Sequence, residues 1–302
     1  MQHEPPSMTL QTVAVLGSGR MGAAMAERLR AEGVAVIVYN RTPERALALA
    51  DRIGATMAVT PAAAASRADV VISMVADDAA VQNLFNGPDG VAAGIRPGAV
   101  AVDMSTVLPD TIRSVASPVR ARGAGILDAP VSGSVGSTLA GELTIMVGGE
   151  GADLERARPI LERLGRRIFH LGRLGTGAAM KLAVNTLIFG LNGAVAEGLV
   201  LAERNGIDRA LAYDVLAASA AGAPFVGYKR SAFVDPEGTP VAFSLALADK
   251  DLRLIRQLAD ASGMAMPQAA TNLDLIRAAG RSVGDGADFS MVARHLRQEG
   301  RG

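Results

Sequence analysis

The stretch T-V-A-V-L-G-S-G-R-M-G, Thr12 to Gly22, decides the architecture. A short run of β-branched and apolar residues leads straight into glycines spaced G-x-G-x-x-G, and a helical pattern opens at Arg20. Strand, glycine turn and helix in this order make a phosphate cradle. Gly17 permits the tight turn, Gly19 lets backbone approach a diphosphate, and Gly22 brings the helix close to the strand. The first turn of the helix then offers free N–H groups and a partial positive charge, so Gly17, Ser18, Gly19, Arg20, Met21 and Gly22 are candidate cofactor ligands.

Outward from this turn, β-branched runs alternate with Ala-rich amphipathic stretches. Strands are expected at Thr12–Leu16, Val34–Tyr39, Val70–Met74, Ala99–Asp103, Ile126–Asp128 and Leu143–Val147, with helices beginning near Arg20, Pro43, Asp77, Pro109 and Asp153. Apolar strands without polar alternation are buried on both faces, which implies parallel pairing with helices on either side. The strand signal ends near Gly175. Helical stretches follow at 181–205, 209–220, 246–261, 267–279 and 289–297. The expected fold is therefore α/β, an N-terminal doubly wound Rossmann-type sheet at 9–174 and an all-α domain at 175–302, joined by a long helix.

The end of the second expected strand bears on the cofactor. An acidic residue there would bind a ribose 2′-hydroxyl, but the chain reads Asn40-Arg41-Thr42. A carboxylate would repel a 2′-phosphate, whereas a guanidinium binds one through two charge-assisted hydrogen bonds and stacks on adenine. NADP is therefore expected over NAD. In the plainer reading, Arg41 is a solvated loop charge and Thr42 caps the helix that starts at Pro43.

Composition narrows the remaining chemistry. The 302 residues are 49% hydrophobic but only 3% aromatic, and thirty basic residues balance thirty acidic ones. No basic run suggests nucleic acid or a membrane surface as partner. Zero Cys excludes thiolate nucleophiles, disulfides and Cys-ligated zinc, and His3, His170 and His295 leave little for metal or triad chemistry. The polar start Met1–Met8 does not read as a signal peptide, and the expected location is cytoplasmic. The apolar stretch Leu182–Ala202 approaches membrane-spanning length, but Asn185, Asn192 and Glu197 interrupt it, so a buried helix is expected. Gly190, Gly193 and Gly198 weaken a solitary helix and suggest close packing against another helix. A homodimer or homotetramer is expected.

Five segments together resemble the β-hydroxyacid dehydrogenase family. They are G-S-G-R-M-G at Gly17–Gly22, V-D-M-S-T at Val102–Thr106, D-A-P-V-S-G-S at Asp128–Ser134, G-T-G-A-A-M-K-L-A-V-N at Gly175–Asn185, and K-D at Lys250–Asp251. The resemblance implies a hydride exchange between nicotinamide and a small β-hydroxyacid or semialdehyde, with Lys181 as general acid/base and Asn185 orienting the substrate. Spacing supports this separately. Positions 181, 185 and 192 fall within about 40° of one another on a helix, a polar stripe on an otherwise apolar rod. A Lys in a partly desolvated cleft can have its pKa lowered far enough to exchange a proton with a hydroxyl.

The resemblance further assigns the small carboxylate of the substrate to Ser132 and Gly133, where hydroxyl and backbone N–H donors are at hand. Ser134, where many relatives have Gly, joins that loop. Thr106, Val75 and Ala76 are expected along the nicotinamide half of the cofactor, and Lys250 closes over it. Asp77 and Asp78 are read as capping a helix or facing its dipole, and Asp249 and Asp251 as solvated partners of Lys250. Phe225, Tyr228 and Phe233 are read as packing of the helical domain, with a pocket role as the other option. Two alternatives differ in function. One is an imine reductase-like enzyme, against which Lys181 counts; the other is a dinucleotide-binding sensor without chemistry. The related decarboxylating 6-phosphogluconate dehydrogenases have a much longer helical domain.

Overall fold

The computed structural model describes residues 11–299. Met1–Met8 and His3 lie outside them. Nine strands form one sheet: β1 (Thr12–Leu16), β2 (Ala35–Tyr39), β3 (Thr56–Met57), β4 (Val70–Ser73), β5 (Val100–Asp103), β6 (Gly125–Asp128), β7 (Val131–Ser132), β8 (Leu143–Gly149) and β9 (Gly165–His170). The order is β3-β2-β1-β4-β5-β6-β8-β7, with β9 also paired to β8.

The six strands from β3 to β6 along this path are mutually parallel. Successive residues of β1 serve opposite faces. Val13 and Val15 join a core with Met25 and Leu29 of α1 (Arg20–Ala31) and Leu49 of α2 (Pro43–Ile53). Ala14 and Leu16 join another with Leu84, Phe85, Ile112 and Val115. Each buried aliphatic side chain contributes about 1.5–3 kcal/mol relative to exposure, which is why strands without alternation hold the middle of such a sheet.

Two details depart from the expectation. β8 runs antiparallel to β6, not parallel. Its apolar pattern reports burial on both faces, and that is blind to direction. The two-residue strands β3 and β7, together with the charged strand β9, carry too little pattern to be read. β9 (G-R-R-I-F-H) is mostly exposed and pairs along only one edge, with β8.

The chain divides into two compact units, 1–181 and 182–302. The second is all helical among its described residues, with helices at Arg209–Ala218, Pro224–Tyr228, Arg230–Val234, Leu245–Ala261, Pro267–Val283 and Val292–Glu299. One helix, Thr176–Arg204, crosses the division and is long and apolar enough to span a membrane. Its buried polar residues have protein partners within the second unit: Asn185 donates to Asp251, and Asn192 donates to the carbonyl of Phe289. Gly193 lies close to Asn272 on the neighbouring helix, as its small size suggests, whereas nothing crowds Gly190.

Candidate active site

The turn between β1 and α1 sits where the sheet order reverses. From β1 the chain steps to β2 and β3 on one side, then returns to β4 on the other. Open α/β sheets bind ligands at such a switch point, beyond the carboxyl ends of the strands. Gly17 has φ +112, and a Cβ there would lie 2.2 Å from the carbonyl oxygen of Met74, so only glycine fits. A Cβ on Gly22 would strike the Gly17 carbonyl oxygen at 2.0 Å. Gly19, by contrast, is the N-cap of α1 and faces open space. No side chain caps that helix, and no acid stands in its first turn. These free N–H groups and the open approach fit a diphosphate.

Asn40 braces the same turn. Its Oδ1 accepts the N–H of Ser18 at 3.0 Å, and its Nδ2 donates to the carbonyl of Thr42 at 3.1 Å. A carboxylate could do the first but not the second. Arg41 is exposed and forms no hydrogen bond or ion pair with the described residues. Thr42 occupies the N-cap of α2, but its hydroxyl makes no capping bond, which corrects the plainer reading of that residue.

Beyond β4 and β5 the backbone is held by a buried acid. Asp103 ends β5 and is 1% exposed. Its Oδ1 accepts the hydroxyls of Ser73 at 2.6 Å and Ser105 at 2.9 Å, and Ser105 Oγ in turn accepts the N–H of Val75 at 3.0 Å. Val75 and Thr106 are half-buried and Ala76 is exposed, all in segments that follow strand ends. Burial pushes the Asp103 carboxyl up to about 6 against the pull of the two hydroxyls, and the neighbouring Asp128 adds to the rise.

Ser132 pairs with Thr144 across β7 and β8 and is half-buried, and Gly133 after it is exposed. The Ser134 hydroxyl serves the backbone, accepting the N–H of Ser137 at 3.2 Å and so capping the helix Val135–Leu139. Lys181 is half-buried on the long helix, six positions into it.

In the helical unit, Asn185 is 6% exposed and gives its amide to Oδ2 of Asp251 at 2.8 Å, while Lys250 pairs with Oδ1 at 2.8 Å. Asp251 is thus buried rather than solvated, a correction with a plain cause: it faces inward from the helix Leu245–Ala261. Asp249 pairs with Arg253 and Arg277. Asp77 caps its helix by accepting the N–H of Ala80, as read from the sequence. Asp78 stands in the first turn of that helix, facing its dipole, and also accepts the N–H of Leu108 and the hydroxyl of Thr111, bracing the helix Pro109–Ala121. Phe225 and Phe233 are buried, while Tyr228 is more than half exposed.

Sequence reasoning missed Lys229. Only 3% exposed, it binds both oxygens of Asp288 at 2.7 and 2.9 Å and lies 4.5 Å from the ring centre of Phe289. A signal was present: of thirty basic residues only Lys181, Lys229 and Lys250 are lysines. Among the described residues no cluster of acids and histidines could hold a metal.

Comparison with known proteins agrees with this geometry. Residues 12–172 match the NAD binding domain of 6-phosphogluconate dehydrogenase, and 175–296 match the NAD-binding domain of NADP-dependent 3-hydroxyisobutyrate dehydrogenase. The fold and the glycine turn define a nicotinamide-dependent oxidoreductase. The chain is 36% identical to a 3-hydroxyisobutyrate dehydrogenase of Pseudomonas aeruginosa, covering 94% of this chain and 98% of that protein. It is 34% identical to an NAD-dependent L-serine dehydrogenase of the same organism, covering 94% and 97%. A solved Mycobacterium tuberculosis 3-hydroxyisobutyrate dehydrogenase with L-serine superposes with a TM-score of 0.83 at 32% identity, covering 96% of this chain and all of that one. The chain belongs to the β-hydroxyacid dehydrogenase family.

Proposed function

We propose that the protein is an NADP-dependent dehydrogenase of small β-hydroxyacids, working also in the direction of semialdehyde reduction, with Lys181 as general acid/base. The observation that carries this is the β1–α1 turn: an uncapped, acid-free helix start, with Asn40 and an Arg41 unpaired among the described residues where an NAD-specific site needs a carboxylate. The relatives carry both cofactor names, so the preference rests on Arg41 itself. A guanidinium with no partner among the described residues gives up none of their bonds on meeting a 2′-phosphate.

When bound, the nicotinamide exchanges a hydride with the substrate carbon. Lys181 as ammonium gives a proton to the oxygen that becomes a hydroxyl in reduction, and as free amine it takes that proton in oxidation. Ser132 and the N–H of Gly133 bind the substrate carboxylate. Asn185 and Lys250 keep the substrate and cofactor roles that family membership suggests. Thr106, Val75 and Ala76 contact the nicotinamide half.

The test is an oxidation panel of L-serine, 3-hydroxyisobutyrate and related acids with NADP+ and NAD+. Lys181→Met should lower kcat by at least a hundredfold, and wild-type turnover in that variant ends the assignment. Arg41→Ala should cut the preference for NADP over NAD about tenfold, equal to about 1.4 kcal/mol. An unchanged ratio removes Arg41 from the 2′-phosphate.

A further inference from the structure

Asp128 ends β6, and its side chain is fully buried. Its Oδ1 accepts the N–H of Gly175 at 2.7 Å and its Oδ2 the N–H of Ala178 at 2.6 Å. These amides belong to the start of the helix Thr176–Arg204, among the groups that a helix cannot satisfy from within. Helices are usually capped by a neighbouring Ser, Thr, Asp or Asn. Thr176 is at hand, yet its hydroxyl donates to the carbonyl of Arg173. The cap comes instead from an acid 47 and 50 residues earlier in the chain.

The fit has no slack. A Cβ on Gly148 would lie 2.4 Å from Asp128 Oδ1. One on Gly177 would lie 2.3 Å from the Met146 carbonyl oxygen and 2.9 Å from Asp128 Oδ2. Burial holds the Asp128 carboxyl above the usual range, and the amides of Gly175 and Ala178 pull against it. A desolvated acid is an expensive cap, while a surface Thr would have satisfied the same helix. What the buried acid adds is a tie between this helix and the segment that continues into Ser132 and Gly133.

We propose that Asp128 is the positioning residue for Lys181: it clamps the first turn of the lysine's helix to the end of β6 and so sets the lysine's axial and rotational placement relative to the carboxylate-binding loop. Lys181 stands three residues beyond Ala178, so any slip of the cap displaces it directly. A misplacement of about 1 Å can cost a hundredfold in rate. The proposal rests on the reading of Lys181 as the proton-transfer group.

Asp128→Asn keeps the side-chain shape but presents an amide NH2 to one of the two N–H groups. With the panel's best substrate and NADP+, kcat should fall about thirtyfold or more, while the Kd for NADPH, read by fluorescence, changes less than twofold. Hydrogen exchange should accelerate in the peptide covering residues 175–182. Gly177→Ala approaches the clamp from the helix side and should give the same pattern, which keeps the test open if the Asn variant fails to fold. Normal exchange in both variants overturns the clamp. Fast exchange with kcat within twofold of wild type overturns the positioning role, as does a parallel loss of kcat and NADPH affinity. Lys181→Met separates the two readings, because it leaves exchange at 175–178 unchanged. If that variant turns over normally, the catalytic reading fails, the positioning role falls with it, and the exchange data still report on the clamp alone.

Discussion

The two compact units hold their most deeply buried acids by opposite means, although Asp153 of the sheet unit, at 8% exposure, pairs with Arg156. In the sheet unit, Asp103 meets the hydroxyls of Ser73 and Ser105, and Asp128 meets backbone N–H groups; all of these donors are neutral. In the helical unit, Asp288 meets Lys229 and Asp251 meets Lys250, so each has an ammonium partner. The chemical consequence differs. Burial raises both Asp103 and Asp128, the former to about 6. Burial acts upward on Asp288 as well, but the Lys229 ammonium and the N–H donors of Ser290 and Phe243 more than offset it, leaving that carboxyl below its usual range. Neutral donors hold an acid in place and let it titrate, whereas a cation holds it ionised.

The largest expected effect comes from breaking the ionic mode. Lys229→Met leaves Asp288 buried without its cation and should cost about 3–5 kcal/mol of unfolding free energy, measured by urea denaturation. A loss below about 1 kcal/mol would mean that the backbone donors of Ala242, Phe243 and Ser290 satisfy Asp288 unaided, and the contrast between the units would vanish.

A smaller effect tests the neutral mode. The carboxyl of Asp103 is raised in the folded state, from 3.8 to about 6. Below pH 4 both folded and unfolded chains hold its proton and there is no penalty. Between pH 4 and 6 the unfolded chain releases the proton first, so the contribution to stability is lost as pH rises through this window, on the order of 2–3 kcal/mol. Asp103→Asn does not titrate. The variant's stability relative to wild type should therefore climb from pH 4 to 6 and level off above 7. A flat or falling difference would show that Asp103 is ionised throughout.

The smallest effect marks the limit of the contrast at the surface. Asp77 also accepts an N–H, from Ala80, but it is exposed. Asp77→Asn retains a good N-cap and should change stability by a few tenths of a kcal/mol, with Asp77→Ala costing about 1. Thermal unfolding of the pair reads the difference. A large loss with Asn would show that charge rather than hydrogen bonding holds this cap.

The same contrast explains what could be read in advance. Strand β1, the glycine turn and α1 were legible because their signal is local: six consecutive positions carry the turn, and the strand before it is apolar throughout. The expected helix starts near Arg20, Pro43 and Pro109 agree with the structure because caps and first-turn prolines act within three or four residues. Asp128, Asp251 and Asp288 were not legible in their roles, although the first two stood inside recognised motifs. The partners of Asp128 lie 47 and 50 residues away, Lys229 lies 59 from Asp288, and the Asn185 amide that meets Asp251 lies 66 away, although Lys250 is next to Asp251 in the chain. No periodicity reports a bond across that distance. The direction of β8 escaped for a related reason, since its residues record burial and not the sense in which the chain enters the sheet.

By itself, then, the sequence determined the doubly wound sheet, the nucleotide turn with Asn40 and Arg41 beside it, and the lysine-bearing helix, all of which follow from short-range sterics and hydrophobic period. Only tertiary structure decided how buried charge is satisfied at a distance: the Ser73 hydroxyl on Asp103, helix amides on Asp128, the Asn185 amide on Asp251 and the Lys229 ammonium on Asp288. A hydrogen bond needs its two atoms within about 3 Å, and it is the packing of distant segments, not their order along the chain, that brings them there.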